Sequence, residues 1–120
     1  MIVFAGAGTD RVVLEALCSA RNIPTRSISH QDLEDPNFEI EFKTAERVWD
    51  NTHRQILVHG APGAAETAVA VRAGVEREFT VFITPNNTAL TAADFLGIHR
   101  FLAHGVVPVP IQHLLSELSR

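Results

Sequence analysis

Short apolar runs alternate along the chain with longer segments in which apolar residues recur at helical spacing. The short runs are typical of buried strands, and the periodic segments are typical of helices with one buried face. The pattern predicts five strands, over Ile2–Ala5, Ile23–Ser29, Gln55–His59, Phe79–Thr84 and Val106–Ile111. It predicts helices over Asp10–Arg21, from Thr44 onward, and over Ala64–Glu78, Ala92–Ala103 and His113–Ser119. Strand and helix therefore alternate, as in a parallel α/β sheet.

Apolar stripes and capping residues indicate how the helices begin and which faces they bury. The residues expected to face the core are Val13, Leu17 and Ala20 in the first helix, with Leu14 and Ala16 beside them, Ala68, Val71 and Val75 after strand 3, and Leu114, Leu115 and Leu118 in the last helix. Cys18 lies inside the first helix and is predicted to be a small core residue. Thr91 followed three residues later by Asp94 predicts a capping box at the start of the helix after strand 4.

Residues 30–42, HQDLEDPNFEIEF, are the least regular part of the pattern. Phe38, Ile40 and Phe42 alternate with acidic residues, which is the spacing of a half-buried strand. We predict an irregular or β excursion with a polar outer face. Its acidic residues, Asp32 to Glu41, are interpreted as a solvated surface, with a divalent-cation site as the alternative.

Two prolines in strand 5 constrain the order of the strands. Residues two apart in a strand direct their N–H groups to the same side, so Pro108 and Pro110 both lack the donor on one side. A neighbouring strand on that side would lose two hydrogen bonds, so strand 5 is predicted to be an edge strand. The prediction is a three-layer Rossmann-like or flavodoxin-like domain, with a five-stranded, mainly parallel sheet of order 2-1-3-4-5 and helices on both faces.

Composition limits the remaining possibilities. A chain of 120 residues, 46% of them hydrophobic, is the size of one domain with a proper core, covering residues 1–120. The net charge of −4 argues against a broad nucleic-acid surface, and no apolar run is long enough for a membrane span. The apolar start is interpreted as a strand rather than a signal peptide, and the single cysteine excludes an internal disulfide. We expect a cytoplasmic protein.

A ligand is expected where the loops after strands 1 and 3 separate, because the winding direction reverses between those strands. Both loops are rich in glycine, GAGTD and HGAPG, and TPNNT follows strand 4 beside them. Glycines allow close approach of the backbone, and helix N-termini favour an anionic group. Alternatively, these are ordinary turn residues. The predicted ligand-binding residues are Gly6, Gly8, Thr9, Asp10, His59, Gly60, Gly63, Thr84, Asn86 and Asn87.

The chemistry at this crevice stays open. His59 ends the central strand and is a candidate base, although a hydrogen-bonded turn histidine is the equal alternative. Asp10 and Asp94 are the other catalytic candidates, and for Asp10 a helix-cap role is favoured. Glu66 is interpreted as a charge at a helix N-terminus rather than as a catalytic acid. No two histidines lie four residues apart, so no metal site is expected.

Three short stretches resemble known families. LVHGAPGAAETAVAVRAG resembles the loop and helix of SLOG-type Rossmannoid domains, which would place ligand contacts on His59, Gly60 and Gly63. VFAGAGTDR with FITPNN is similar in layout to TIR and deoxyribosyltransferase-like domains, although the glutamate that follows strand 4 in those enzymes is absent. The tail from TPNNT to VVPVP resembles the end of the domain that precedes an ATP-grasp core, without its lysine. The shared implication is a Rossmann-like binder of nucleotides or nucleosides.

Three functional hypotheses follow. The first is a small binding domain for a nucleotide, a nucleoside or a similar anionic metabolite, acting as a sensor or accessory module. The cofactor is unspecified, a nucleotide being one candidate. The second is an enzyme that hydrolyses or transfers a group at a nucleoside in the same crevice. The third is a protein-interaction domain without a small ligand, as a homodimer formed through the last helix or the strand 4–5 surface.

Overall fold

Strands and helices alternate along the chain in a computed structural model that describes residues 1–6, 11–40, 55–85 and 91–119. The strands are β1 (Ile2–Ala5), β2 (Thr25–Ile28), β3 (Gln55–Gly60), β4 (Thr80–Pro85) and β5 (Val107–Pro108). The helices are α1 (Arg11–Ala20), α2 (Ala65–Glu76), α3 (Ala92–Ala103) and α4 (Ile111–Leu118), with one 3₁₀ turn at Asp32–Glu34. Among the helices of these residues, none is long and apolar enough to cross a membrane. The helix predicted from Thr44 lies outside the described residues.

The five strands form one parallel sheet in the order 2-1-3-4-5, which confirms the predicted Rossmann-like or flavodoxin-like fold. β3 lies in the centre and pairs with β1 on one side and β4 on the other. β1 is buried along its whole length, as expected for a strand covered on both faces. The register places Ala5 beside Gly60 and His59 beside Thr84, so these residues share the carboxyl edge of the sheet.

Helices cover both faces of the sheet, and each face has its own apolar core. Residues of α1 and α4 pack with alternate residues of the strands, in a core that contains Phe4, Leu14, Cys18, Leu57, Leu114 and Leu118. Residues of α2 and α3 pack on the opposite face, in a core that contains Val3, Ile56, Val58, Val71, Ile83 and Phe101. The alternation of side chains along each strand separates the two cores.

β5 is an edge strand, as its prolines predict. Its partner is β4, and the N–H of Val109 donates to the Ile83 carbonyl at 2.8 Å. Pro108 and Pro110 are the residues on either side of Val109, so the N–H groups that they lack would point to the opposite side of the strand, away from β4. The predicted strand over Val106–Ile111 was too long, because Pro110 already serves as the N-cap of α4. The last helix therefore begins at Ile111, two residues before the predicted start.

Two helices bury faces that overlap only in part with those predicted, since Leu14 and Val71 are buried and Leu17 and Val75 are partly buried. In α1 the buried residues are Leu14 and Cys18, and Val13 is 51% exposed, so the stripe assigned to Val13 and Ala20 was wrong. In α2 the buried residues are Thr67, Ala70, Val71 and Gly74, and Ala68 is exposed. Both helices carry two neighbouring stripes of small or apolar residues. Spacing alone does not distinguish such stripes, and the contact with the sheet selects one of them.

The acidic stretch after β2 is irregular rather than extended. Asp32–Glu34 forms the 3₁₀ turn, and the residues from there to Ile40 form no strand, so this part is irregular, the first of the two predicted alternatives. Glu41 and Phe42, which end the predicted stretch, lie outside the described residues. Ile40 is nevertheless buried against the α2 face of the core, and Phe38 packs beside it. Arg77 donates a hydrogen bond to the Ile40 carbonyl and ties this stretch to the end of α2.

Cys18 is a core residue, as predicted, and its environment makes it a poor nucleophile. Its side chain is fully buried, and this burial raises the pKa of the thiol to about 11. Because the thiolate is the reactive form, we expect alkylation by iodoacetamide at pH 8 to be at least about 100-fold slower in the native protein than in urea. Mass spectrometry of timed samples measures this ratio. Similar rates in both states would contradict the packing described for α1.

Candidate functional site

The winding of the chain reverses between the neighbouring strands β1 and β3. α1 follows β1 on one face of the sheet, whereas α2 follows β3 on the other face. The loops after these strands therefore diverge at the carboxyl edge, which is where ligands bind in open α/β sheets. Gly6 begins the first loop with a φ of 84°, a conformation that favours glycine. The predicted position of the crevice thus agrees with the topology.

Gly60 ends β3, and its neighbours are Ala5 of β1 and Thr67 of α2. A Cβ atom at this position would lie 2.5 Å from the Ala5 carbonyl oxygen and 2.7 Å from Oγ1 of Thr67. No side chain fits there, so packing within the chain is sufficient to require glycine. Its prediction as a ligand contact stays a prediction, because close approach to the neighbouring strand already accounts for the residue type.

The loop after β3 is held against the start of α3. The N–H of Gly63 donates to Oδ1 of Asp94 at 2.8 Å. A Cβ at Gly63 would lie 2.7 Å from the carbonyl carbon of Ala93, and a Cβ at Gly97 would lie 2.1 Å from the Pro62 carbonyl oxygen. Glycine is therefore required on both sides of this contact. The loop and the first turns of α3 form one packed unit.

Asp94 is the centre of this unit. Oδ2 accepts the Thr91 N–H at 2.9 Å, and the Asp94 N–H donates to Oγ1 of Thr91 at 3.2 Å, which is the predicted capping box. The hydrogen bonds from the Thr91 and Gly63 amides lower the pKa of the buried carboxyl group. Both carboxylate oxygens are thus engaged by the backbone. Asp94 therefore holds the loop after β3 against the start of α3. The catalytic role suggested for it stays a prediction.

His59 is buried, with 3% of its surface exposed, on the face of the sheet that α1 and α4 cover. Its Nδ1 lies 3.1 Å from the Thr84 carbonyl oxygen, and its ring meets Phe4 edge-on at 6.1 Å between centroids. A carbonyl only accepts, so Nδ1 carries the proton in this contact. The side chain links β3 to β4, which matches the alternative of a hydrogen-bonded histidine at the strand end. A catalytic role for His59 stays a prediction.

Two threonine hydroxyls are buried at the same edge. Thr84 ends β4 and Thr67 lies in the first turn of α2, and both side chains are fully buried. Neither hydroxyl has a hydrogen-bond partner among the described residues. Thr84 was among the predicted ligand residues, whereas Thr67 was missed. Its position in the first turn after a glycine loop is the signal that could have found it.

The first turn of α2 receives no cap from a side chain of residues 1–6, 11–40, 55–85 or 91–119. Its N-cap is Ala64, which has no oxygen to offer, and the N–H of Ala68 makes the first helical bond to the Ala64 carbonyl. The N–H groups of residues 65–67 precede that bond, and such groups need acceptors from outside the helix. α3 differs, because Thr91 and Asp94 cap it.

A histidine and a glutamate also meet at this edge. Nδ1 of His30 lies 3.5 Å from Oε1 of Glu66, and Nε2 lies 3.8 Å from Oε1 of Glu34. The His30 side chain is 76% exposed, whereas that of Glu66 is only 16% exposed. Glu66 stands in the first turn of α2, as predicted. His30 was not predicted to be near it, because nothing in the sequence places the loop after β2 beside α2.

The remaining predicted residues divide into two groups. Gly6 begins the loop after β1, as described. Gly8, Thr9, Asp10, Asn86 and Asn87 lie outside the described residues. Within residues 1–6, 11–40, 55–85 and 91–119, no three side chains of histidine, cysteine, aspartate or glutamate form a group that could hold a metal ion.

Similarity to other proteins adds nothing to this geometry. Neither the protein-family models, nor the curated proteins, nor the solved structures include a match to this chain, so its family is not assigned and the site rests on its own residues.

Proposed function

We propose that the protein binds a nucleotide, a nucleoside or a related anionic metabolite in the crevice at the carboxyl edge of the sheet. The observation that carries the proposal is the first turn of α2 beside the buried hydroxyl of Thr67, neither of which is capped or hydrogen-bonded by a side chain in the part of the chain that the structure describes. A phosphate or carboxylate group would supply the acceptors that this helix end lacks.

Electrostatics at the helix end favour a negative group. The aligned peptide dipoles leave about half a positive charge at a helix N-terminus, and the free N–H groups point along it. Glu66 offsets part of this field with its own carboxylate, but His30 lies 3.5 Å from that carboxylate and offsets it in turn when protonated. The N-terminus of α2 is thus better suited to an anion than that of α3, whose donors the chain already uses.

The hydroxyls of Thr67 and Thr84 support a polar ligand for a second reason. A buried hydroxyl without a partner costs about 1–3 kcal/mol. Proteins usually satisfy such groups with ordered water or a ligand. Thr67 lies beside Gly60, and Thr84 lies next to His59 on the neighbouring strand. Both hydroxyls are therefore near the end of β3.

Acid–base chemistry at a nucleoside is the second candidate function. The observation that favours it is the contact between His30 and the mostly buried Glu66, since a carboxylate that orients an imidazole is a common arrangement for proton transfer. Enzyme and binder would share the crevice and the ligand class. Release of free base or phosphate from a bound ligand, measured by chromatography, would distinguish the enzyme from the binder.

We expect a thermal-shift screen of nucleotides, nucleosides, dinucleotides and sugar phosphates to yield a stabilising ligand. A ligand at 100 times its Kd adds about 2.7 kcal/mol to the stability, which corresponds to several degrees for a domain of this size. Anionic members of the screen should shift Tm more than their uncharged counterparts. A flat screen at millimolar ligand would contradict the proposal and favour an interaction domain, for which the exposed apolar residues Phe95, Leu96 and Leu102 of α3 are available.

The Thr67→Val variant sharpens this test, because valine keeps the shape and removes the hydroxyl. We expect the variant to fold and to bind the ligand found in the screen about tenfold more weakly. Thr80→Val is the matched control, since Thr80 is exposed at the opposite end of β4. If Thr67→Val only raises the Tm of the free protein and leaves the affinity unchanged, the hydroxyl is no part of the site.

A further inference from the structure

A cavity lies beside α4, on the sheet face that α1 and α4 cover. It has a volume of about 220 Å³ and lies over the first half of β3 and the middle of β4. Its walls are mainly apolar, formed by Leu57, Phe82, Val109 and Leu114, and the polar residues Gln55, His113 and Glu117 also line it. Gln55 is the first residue of β3, whereas the crevice forms where β3 ends, so the two sites are distinct.

Among the described residues, α4 leaves part of this sheet face uncovered. α4 contacts α1, and its residues Leu114 and Leu118 share a core with Leu57. Phe82 and Val109 lie farther toward the edge strand and are only partly buried. β5 is two residues long and ends the sheet, so no further strand or helix of the described residues closes this side.

The size and chemistry of the cavity define a ligand class. An apolar cavity of about 150 Å³ is known to hold benzene, so this larger space suits a compound of one or two rings. The mainly apolar walls disfavour a charged ligand, because an ion loses its hydration at a high cost in free energy. Gln55 and His113 offer hydrogen bonds to a single polar group. Apolar walls with a few polar groups are typical of small-molecule sites.

We propose that this cavity binds a compact, uncharged aromatic compound of one or two rings that carries one hydrogen-bonding group. The site takes a different chemical class from the crevice, and its occupancy does not depend on the function proposed there. The two sites are nonetheless close, because Leu57 and Phe82 precede His59 and Thr84 by two residues on the same face of the sheet. That separation is about 6.5 Å along the strands.

Titration of the full chain with indole, followed by ¹H–¹⁵N correlation spectra, tests the proposal. We expect saturable shifts at the amides of Leu57, Phe82, Val109 and residues 113–117, and smaller shifts at Gly60 and Gly63. Shifts confined to the crevice, or no saturable shift up to the solubility limit of indole, would overturn it. Inorganic phosphate is the comparison ligand. If it binds in the crevice, its largest shifts should fall at Gly60 and Gly63 and its smallest at residues 113–117, which is the reverse of the order expected for indole.

Blocking variants assign the shifts to the cavity. Val109→Phe places a ring in the cavity and should weaken indole binding at least tenfold. His113→Trp does the same from an exposed position of α4, where folding is not at risk. Val69→Phe is the matched control, since Val69 is partly exposed on α2, which covers the other face of the sheet. Indole affinity that survives both Val109→Phe and His113→Trp would contradict the assignment.

Discussion

The Gly97→Ala variant should be less stable than the natural protein by about 2–3 kcal/mol, the largest loss expected for so small a change. An added Cβ would lie 2.1 Å from the Pro62 carbonyl oxygen and 2.7 Å from its carbon. These are backbone atoms, and the loop that contains them is held by the hydrogen bond from Gly63 to Asp94. Relief of the clash therefore requires α3 or the whole loop to move.

Whether Gly97→Ala lowers or raises the stability is a sharp test, because replacing glycine with alanine would otherwise stabilise a helix. In an exposed helix interior, replacing glycine with alanine gains about 1 kcal/mol. Urea unfolding monitored by circular dichroism gives the free energy, and the expected loss corresponds to a fall in Tm of roughly 10 °C. A Gly97→Ala protein as stable as the natural one would show that the loop does not pack on α3 as described.

Gly74→Ala is the matched control in a second helix. Its added Cβ would meet Cδ1 of Ile56 at 2.3 Å and Cγ2 of Val81 at 2.9 Å, which are ends of side chains rather than backbone. The Ile56 side chain can change rotamer at a cost of about 1 kcal/mol, comparable to the gain in helix propensity. We expect less than half the loss of Gly97→Ala. If Gly74→Ala lost more stability than Gly97→Ala, the contacts described for the two glycines would be wrong.

Asp94→Asn should destabilise the protein by about 2 kcal/mol at pH 7, because hydrogen bonds to a charged group contribute about 1.5–3 kcal/mol. Both oxygens of Asp94 accept backbone N–H groups, from Gly63 at 2.8 Å and Thr91 at 2.9 Å. An asparagine keeps one acceptor and turns an NH₂ donor toward the other N–H. Hydrogen exchange at the Gly63 amide should also become faster in the variant.

The loss should depend on pH in one direction. The hydrogen bonds lower the pKa of Asp94 in the folded protein, so the unfolded chain takes up the proton first as the pH falls. The stabilisation is therefore fully present above the unfolded pKa of about 3.9 and disappears as the pH falls through the folded value. The difference between the natural protein and Asp94→Asn should shrink below pH 4.

Glu76→Gln controls for the removal of one negative charge, because Glu76 is exposed at the end of α2. Its effect on the unfolding free energy should stay within about 0.5 kcal/mol across the same pH range. If Asp94→Asn behaves like Glu76→Gln, Asp94 does not clamp the loop, and its catalytic role becomes the better explanation for a buried carboxylate at this edge.

Local patterns were sufficient to predict the architecture. The two prolines of β5 identified the edge strand, and the strand–helix alternation then indicated the order 2-1-3-4-5. The spacing of Thr91 and Asp94 identified the capping box, and helical position placed Cys18 in the core. These features depend on residues close together in the chain, where the missing donor of a proline or the reach of a cap determines the outcome.

The contacts at the site could not be read in the same way. The sequence predicted a crevice with glycine-rich loops. It did not show that glycine is required at Gly60 because the Ala5 carbonyl lies too close for a side chain, or at Gly63 because the start of α3 does. The proximity of His30 to Glu66, and the second hydrogen bond of Asp94, likewise join distant parts of the chain. A one-dimensional pattern carries periodicity and local chemistry. It carries no distance between segments, so the packing of the sheet and helices alone decided which side chains meet, which stripe of α1 is buried, and which hydroxyls lack a partner among the described residues.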